Sequence, residues 1–224
     1  MNKDYLLNES KVFCMFPWTH LNVTPKGDIY PCCSNNYTEP FGNTKQTSLK
    51  EAFNNEKMKQ LRLDMLNDRP NSVCDFCYKH EQAGPHSFRN YSKEHFAKHF
   101  DATVPTTLED GTVPEFKMHY FDIRFSNICN FKCRTCGSEF SSQWGAEMRA
   151  NHDPAHPIVI HADEQGNLLR ECLEQVEHID LAYFAGGEPL ITDEHYIMLE
   201  EMIRKGRTDI TLRYNTNASN IKYK

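Results

Sequence analysis

Apolar and polar positions follow two different rhythms along this chain, and the change comes near residue 116. Before it, residues 18–23 and 28–30 are short β-prone runs around Pro25-Lys26-Gly27-Asp28, a turn signal that predicts a hairpin. Leu49, Phe53, Met58, Leu61 and Met65 then fall roughly on one helical face. Thr47 or Ser48 can cap that helix, Glu51 stands three residues after Ser48 as in a capping box, and Arg69-Pro70-Asn71 stops it. Further short helices are expected from near Asp75 and over 92–100. Residues 101–115 hold two prolines and a glycine with little periodicity, the composition of a linker or a surface crossing. Beyond it, 119–125 is β-rich, 138–150 helical, 179–184 a buried strand, 192–205 helical and 210–214 a strand. Residues 151–166 read as an inserted loop ahead of a helix at 168–176. Strand and helix in alternation predict βαβ units and a parallel sheet. The expected organisation is a small α+β cysteine-rich module over 1–100, a linker over 101–116 and an α/β unit over 117–224. Three parallel strands do not close a barrel, so the polypeptide is expected to be a piece of a longer protein.

Composition narrows the class. With 39% hydrophobic and 12% aromatic residues the chain can bury a core, and no run approaches the roughly 18 apolar residues of a membrane span, so no membrane partner is expected. Twenty-five basic against 31 acidic residues leave a net charge of -6, which argues against a broad nucleic-acid or anionic-lipid surface. The opening MNKDYLLNES lacks a signal-peptide pattern, which makes the reducing cytoplasm the expected location. There, nine cysteines read as metal ligands or catalytic thiols rather than disulfide partners.

Seven of the nine are clustered. Cys129-Asn-Phe-Lys-Cys133-Arg-Thr-Cys136 is C-x3-C-x2-C, directly after the first strand of the alternating half. At about 4% cysteine, partners at both +4 and +7 arise by accident in about 1.5% of such chains. A loop at the carboxyl end of a parallel strand is where α/β folds build sites. Three thiolates there can hold three irons of a cubane and leave the fourth open, whereas zinc usually takes four closed ligands. The second strand ends in Gly186-Gly187-Glu188-Pro189, where glycines let a ligand approach the backbone; a plain strand-to-helix turn is the other reading of that tetrapeptide. Tyr214-Asn-Thr-Asn217 follows the third strand.

Together these motifs, over about residues 117–217, resemble the radical S-adenosylmethionine (radical SAM) superfamily. The resemblance implies a partial, three-stranded piece of that family's parallel β/α barrel. It implies a 4Fe-4S cluster on Cys129, Cys133 and Cys136, with SAM chelating the open iron and received by Gly186, Gly187, Glu188, Pro189 and Asn217. It further implies an electron donor such as flavodoxin or ferredoxin, and a radical that takes hydrogen from a peptide or small-molecule substrate not readable from the sequence. Two departures stand out: Thr135 occupies the place where the family often has an aromatic residue before the last cysteine, and the family's barrel usually has six strands.

A second candidate set is Cys14, Cys32, Cys74 and Cys77. A cysteine before a hairpin, glycine (Gly27) at its turn and a second cysteine after it resemble the opening of twitch and SPASM auxiliary-cluster modules, and the four-cysteine count looks like twitch rather than the longer SPASM set. That resemblance implies an auxiliary 4Fe-4S cluster, although in those enzymes the module normally follows the barrel. A rival set joins Cys74 and Cys77 to His95 and His99, as in a zinc finger, with seventeen residues between Cys77 and His95. A non-catalytic, zinc- or cluster-stapled interaction module is the alternative to an enzyme. Cys33 reads as a spare thiol, Cys172 as a small buried hydrophobe and Trp18 as core. His119, Asp122 and Arg124 lie on the first strand of the second unit, and none is assigned as catalytic acid or base.

Overall fold

A computed structural model describes residues 2–163 and 165–221. Glu164 of the inserted loop and the final bound of the parallel unit, residue 224, lie outside these.

The predicted hairpin forms: β1 (His20–Val23) and β2 (Asp28–Tyr30) pair antiparallel, with Asn22 opposite Tyr30. Gly27 makes the turn at φ 89°, a left-handed value that favours glycine. Trp18 falls outside the strand, in a single helical turn α1 (Phe16–Thr19), because Pro17 presets helical φ and Thr19 Oγ1 bonds back to Met15 O at 2.9 Å. A two-residue strand β3 (Gly42–Asn43) adds to β2.

The Ser48–Glu51 capping box is present and starts α2 (Leu49–Phe53). The single helix expected through Met65 is instead two, because Asn54 ends the first and the Asn55 side chain caps α3 (Glu56–Leu66) by accepting from Met58 N at 2.9 Å. After α4 (Asp75–Gln82), Ser87 caps α5 (Phe88–Phe96), earlier than the sequence suggests. A 3-10 turn over Ala97–His99 leads into α6 (Phe100–Thr103). Arg62 binds these pieces from inside. Fully buried, it donates to the carbonyls of Pro17 (2.8 Å), Phe53 (2.6 Å) and Gly111 (3.1 Å), and its guanidinium lies 4.2 Å from the Phe53 ring centroid. Burial without a carboxylate partner lowers its pKa to about 9.

The crossing toward the second unit is packed: Val104 and Val113 are buried, Thr107 Oγ1 accepts from Trp18 Nε1 at 2.8 Å, and a Cβ on Gly111 would meet Lys59 O at 2.5 Å. Then come β4 (Tyr120–Ile123), α7 (Ser142–Asn151), α8 (Asn167–Gln175), β5 (Leu181–Phe184), α9 (Asp193–Arg204) and β6 (Thr211–Tyr214). As the alternation predicts, β4, β5 and β6 are parallel neighbours. In addition β1 pairs parallel with β4, His20 beside Tyr120, so one mixed six-stranded sheet runs β3-β2-β1-β4-β5-β6.

Strand periodicity gives this sheet two unlike faces. Leu21, Val23, Phe121, Ile123, Ala182 and Phe184 belong to a core cluster that includes Leu168 and Cys172 of α8 and Met198 and Met202 of α9. Each such fully buried side chain contributes about 1.5–3 kcal/mol. The intervening positions are mostly polar: the register sets Asn22 beside Asp122 and Tyr183 beside Arg213. That face carries the candidate chemistry.

Candidate metal centres

The four N-terminal thiols come from separate elements. Cys14 precedes α1, Cys32 follows β2, Cys74 closes a 3-10 turn and Cys77 lies in the first turns of α4. Cys14 and Cys77 are buried, and Cys32 and Cys74 pack against the same core. Burial pushes the Cys14 thiol up to about 11, although Ser92 Oγ lies 3.1 Å from its sulfur. Burial likewise raises Cys32, and the neighbouring Cys33, Cys14, Cys74 and Cys77 raise it further. Cys74 rises for the same reason and feels Cys14 and Cys77. Thiols that hinder one another's ionisation this way have been brought together. Arg89 favours the thiolates of Cys14, Cys74 and Cys77 but does not offset their desolvation, and a metal centre supplies the remaining charge, so the donor set fits an iron-sulfur cluster. The zinc-finger rival does not form. His95 packs at a tilt against Tyr91 with ring centroids 4.1 Å apart, and His99 Nε2 faces Asp180 Oδ2 at 2.5 Å.

The second set sits on an open loop after β4: Cys133 and Cys136 are exposed and Cys129 half-buried. The loop is shaped by its own polar side chains. Asn127 Nδ2 donates to Ser138 O and Ile158 O, Ser141 Oγ to Phe131 O at 2.6 Å, and Ser142 Oγ to Cys129 O at 3.1 Å. Cys136 N bonds Cys133 O at 3.0 Å, closing a tight turn between the last two thiols. Trp144 Nε1 donates to Cys133 O at 3.0 Å from α7.

This loop interlocks with the one after β5. Gly187 N donates to Ser126 O at 3.1 Å and Glu188 N to Ile128 O at 2.8 Å. A Cβ on Gly187 would stand 2.0 Å from Ile128 O, a close approach that requires glycine, and Gly186 takes a φ of 121°. These amide hydrogens are therefore committed to the neighbouring loop and do not floor a ligand pocket. Glu188, almost fully buried, accepts from Leu190 N (3.0 Å) and Thr216 Oγ1 (2.7 Å) through Oε1 and from Asn217 N (2.7 Å) through Oε2. It ties the loops after β5 and β6 together. Asn217 Nδ2 then reaches Asn130 Oδ1 at 2.9 Å and lies 3.9 Å from Cys129 Sγ. Pro189 opens a 3-10 turn and is buried beneath this knot.

Cys129, Cys133 and Cys136 line one cavity of about 420 Å³ with Gly186, Gly187, Glu188 and Asn217. A second cavity, about 560 Å³, is lined by Cys33, Tyr91, Tyr120 and Arg213 among others, and Tyr37, Arg124 and Tyr183 line both. Arg124 pairs with the fully buried Asp122 at 3.2 Å, and that carboxylate raises the guanidinium pKa against the lowering by burial. Cys33 is not idle surface: it faces this second cavity, and burial pushes its thiol up to about 12. Tyr37, Tyr183 and Arg213 went unnoticed in the sequence. Alternation on β5 and β6 carried the signal for the last two, once the register with Asp122 is known. Cys172 is buried in α8 and Trp18 in the core, as expected.

Comparison with known proteins matches the first of these centres. Residues 14–78 fit the family model SPASM, described as an iron-sulfur cluster-binding domain. The match runs from Cys14 past Cys77 and so takes in all four N-terminal thiols, under a third of the chain. It indicates that this part binds an iron-sulfur cluster, as is typical of radical SAM proteins. No curated protein and no solved structure matches the chain. The fold and its buried thiols thus define a mixed α/β protein with a SPASM module. No helix among the described residues is long and apolar enough to cross a membrane.

Proposed function

We propose that this chain is the cluster-bearing part of a radical SAM enzyme, with Cys129, Cys133 and Cys136 holding a 4Fe-4S cluster and Cys14, Cys32, Cys74 and Cys77 an auxiliary one. The observation that carries the reading is the shared cavity: three thiols on one open loop, facing the Gly186–Glu188 turn at the carboxyl ends of parallel strands. Its volume lies in the usual range for small-ligand sites. When bound, the cluster and SAM supply reductive cleavage of a sulfur–carbon bond and a 5'-deoxyadenosyl radical that takes hydrogen from substrate.

The protein's own residues orient and enclose. Ser141, Ser142 and Asn127 fix the thiol loop, and Glu188 holds the loops after β5 and β6 in register with it. With the Gly187 and Glu188 amides committed, an amino group at this turn would be met by carbonyl oxygens, the acceptors it needs. Arg124 and Tyr183 stand between the two cavities, and the second offers room for a peptide or small molecule. Electrons would come from a flavodoxin or ferredoxin. The four N-terminal cysteines would cap every iron of the auxiliary cluster, which suits electron transfer or bracing rather than substrate binding.

The test is anaerobic reconstitution with iron, sulfide and SAM. About eight irons per chain and 5'-deoxyadenosine that vanishes in Cys133→Ala with the fold retained support the reading. Iron at the N-terminal centre alone, with no SAM cleavage in the full chain, would overturn it. The packing of the four-thiol set against the core favours one second reading, a module whose cluster or zinc only braces an interaction surface. It predicts the latter result.

A further inference from the structure

At the opposite end of the parallel strands lies a polar cluster that neither cysteine set uses. His119 immediately precedes β4, Asp180 precedes β5, and His99 closes the 3-10 turn after α5. Asp180 N donates to His119 O at 2.8 Å, so the sheet ladder sets these two residues side by side. The His99 ring stacks on the His119 ring, centroids 3.5 Å apart, and His99 Nε2 sits 2.5 Å from Asp180 Oδ2. One ligand atom from each residue lies within 4.8 Å of the other two; among the described residues this is the group that comes so close.

We propose that His99, His119 and Asp180 form a site for one divalent transition-metal ion, zinc above all. The donor set is two imidazoles and a carboxylate, which suits zinc with water in the fourth position. The tautomer of His119 is already fixed for it. Nδ1 lies 2.8 Å from the carbonyl of His178, which can only accept, so Nδ1 carries the proton and Nε2 keeps its lone pair. Burial and the neighbouring His99 also keep His119 neutral, with a pKa of about 4. Tetrahedral zinc sets its donors about 3.3 Å apart, so closure needs the partly exposed His99 ring to turn out of its stack, a movement open to a side chain on a single 3-10 turn. Lys98 Nζ, now 3.1 Å from Asp180 Oδ2, is largely exposed and would swing into water as the ion replaces its charge. Such an ion would fasten the end of the α5 segment to the strands, far from the thiol loop.

Cobalt(II) is the probe, added anaerobically to cluster-loaded protein. The expected result is one cobalt per chain with visible d–d bands and no near-ultraviolet thiolate-to-cobalt charge transfer, since no sulfur is among the donors. His119→Gln and His99→Gln should each weaken that uptake by about 100-fold, while Cys133→Ala leaves it intact. Circular dichroism confirms that each variant is folded, and His99→Gln, on the partly exposed residue, serves if His119→Gln is not. Cobalt signals that carry sulfur charge transfer, absence of uptake, or uptake unchanged in a folded His99→Gln variant would overturn the site. None of these outcomes depends on SAM chemistry.

Discussion

The two cysteine sets use one kind of ligand in opposite settings. Cys14, Cys32, Cys74 and Cys77 are drawn from four elements into a packed interior, where burial suppresses thiolate formation until a metal supplies the charge. Cys129, Cys133 and Cys136 lie within eight residues on one loop, mostly exposed, and open on a cavity. In the first, the fold depends on the ligands; in the second, the ligands depend on loops that other side chains hold. The same kind of side chain is therefore packed into the interior in one place and left open on a cavity in the other.

The largest test of this contrast is to remove one thiol from each. Cys77→Ser should cost on the order of 5 kcal/mol, or prevent folding, because metal binding at a buried site is folding free energy. Cys133→Ser should shift thermal unfolding of the rest by no more than about 0.5 kcal/mol while abolishing 5'-deoxyadenosine formation. Equal losses of stability in urea titrations of the two variants would erase the distinction.

Glycines sharpen it next. Gly187→Ala drives a Cβ to 2.0 Å from a backbone carbonyl that cannot move without its loop, so a loss of about 3 kcal/mol is expected. The two amide bonds from 187 and 188 should go with it, visible as faster hydrogen exchange. Gly137→Ala, next to Cys136, meets nothing within 4 Å and should be neutral within about 0.5 kcal/mol. If both variants behave alike, the loops are not interlocked.

Much of this was legible in the sequence because short-range rules governed it. The hairpin turn at Gly27, the Ser48–Glu51 box and the three strands of the second unit follow from local propensity and periodicity. The split of one long helix was there to read in Asn54-Asn55 but was outweighed by the apolar face that spans it. What could not be read was long-range pairing. Nothing local announces that β1 joins β4, and it is that pairing which merges hairpin and parallel strands into one sheet. The C-x3-C-x2-C spacing singled out three thiols that share one loop and one cavity, yet the function of Glu188 as a tie between two loops needed the fold, since its donors come from residues 190, 216 and 217. The contacts of His99 were not legible either, because its partners lie 20 and 81 positions away.

A smaller effect separates the β1–β4 junction from the open loop by pH. His20, fully buried between the hairpin and β4, gives Nδ1 to Tyr120 O at 2.8 Å, and burial lowers its pKa to about 4 despite the attraction of Asp122. The folded state thus resists a proton that the unfolded chain takes up near pH 6.5. Its contribution is present above that pH and is lost as pH falls toward 4, about 2 kcal/mol of it between pH 7 and pH 5. His20→Gln, which can still donate to Tyr120 O, should flatten stability over that window relative to the unsubstituted protein in urea titrations at pH 7 and 5. Parallel curves would mean that this histidine is not held neutral.

The smallest test falls on the tie itself. Glu188→Gln keeps the shape but turns one oxygen into an amine. If the amide oxygen stays with Leu190 N and Thr216 Oγ1, the new N–H₂ group faces the N–H of Asn217, donor against donor. The cost should be about 1–2 kcal/mol, concentrated in the loop after β6, where hydrogen exchange at 216 and 217 should quicken while α3 and the four-thiol module keep their protection. Because Asn217 also reaches Asn130 beside Cys129, the loosened loop should weaken SAM binding more than cluster binding on the thiols. Unchanged exchange at those two residues would return Glu188 from a structural tie to a free ligand of the cavity.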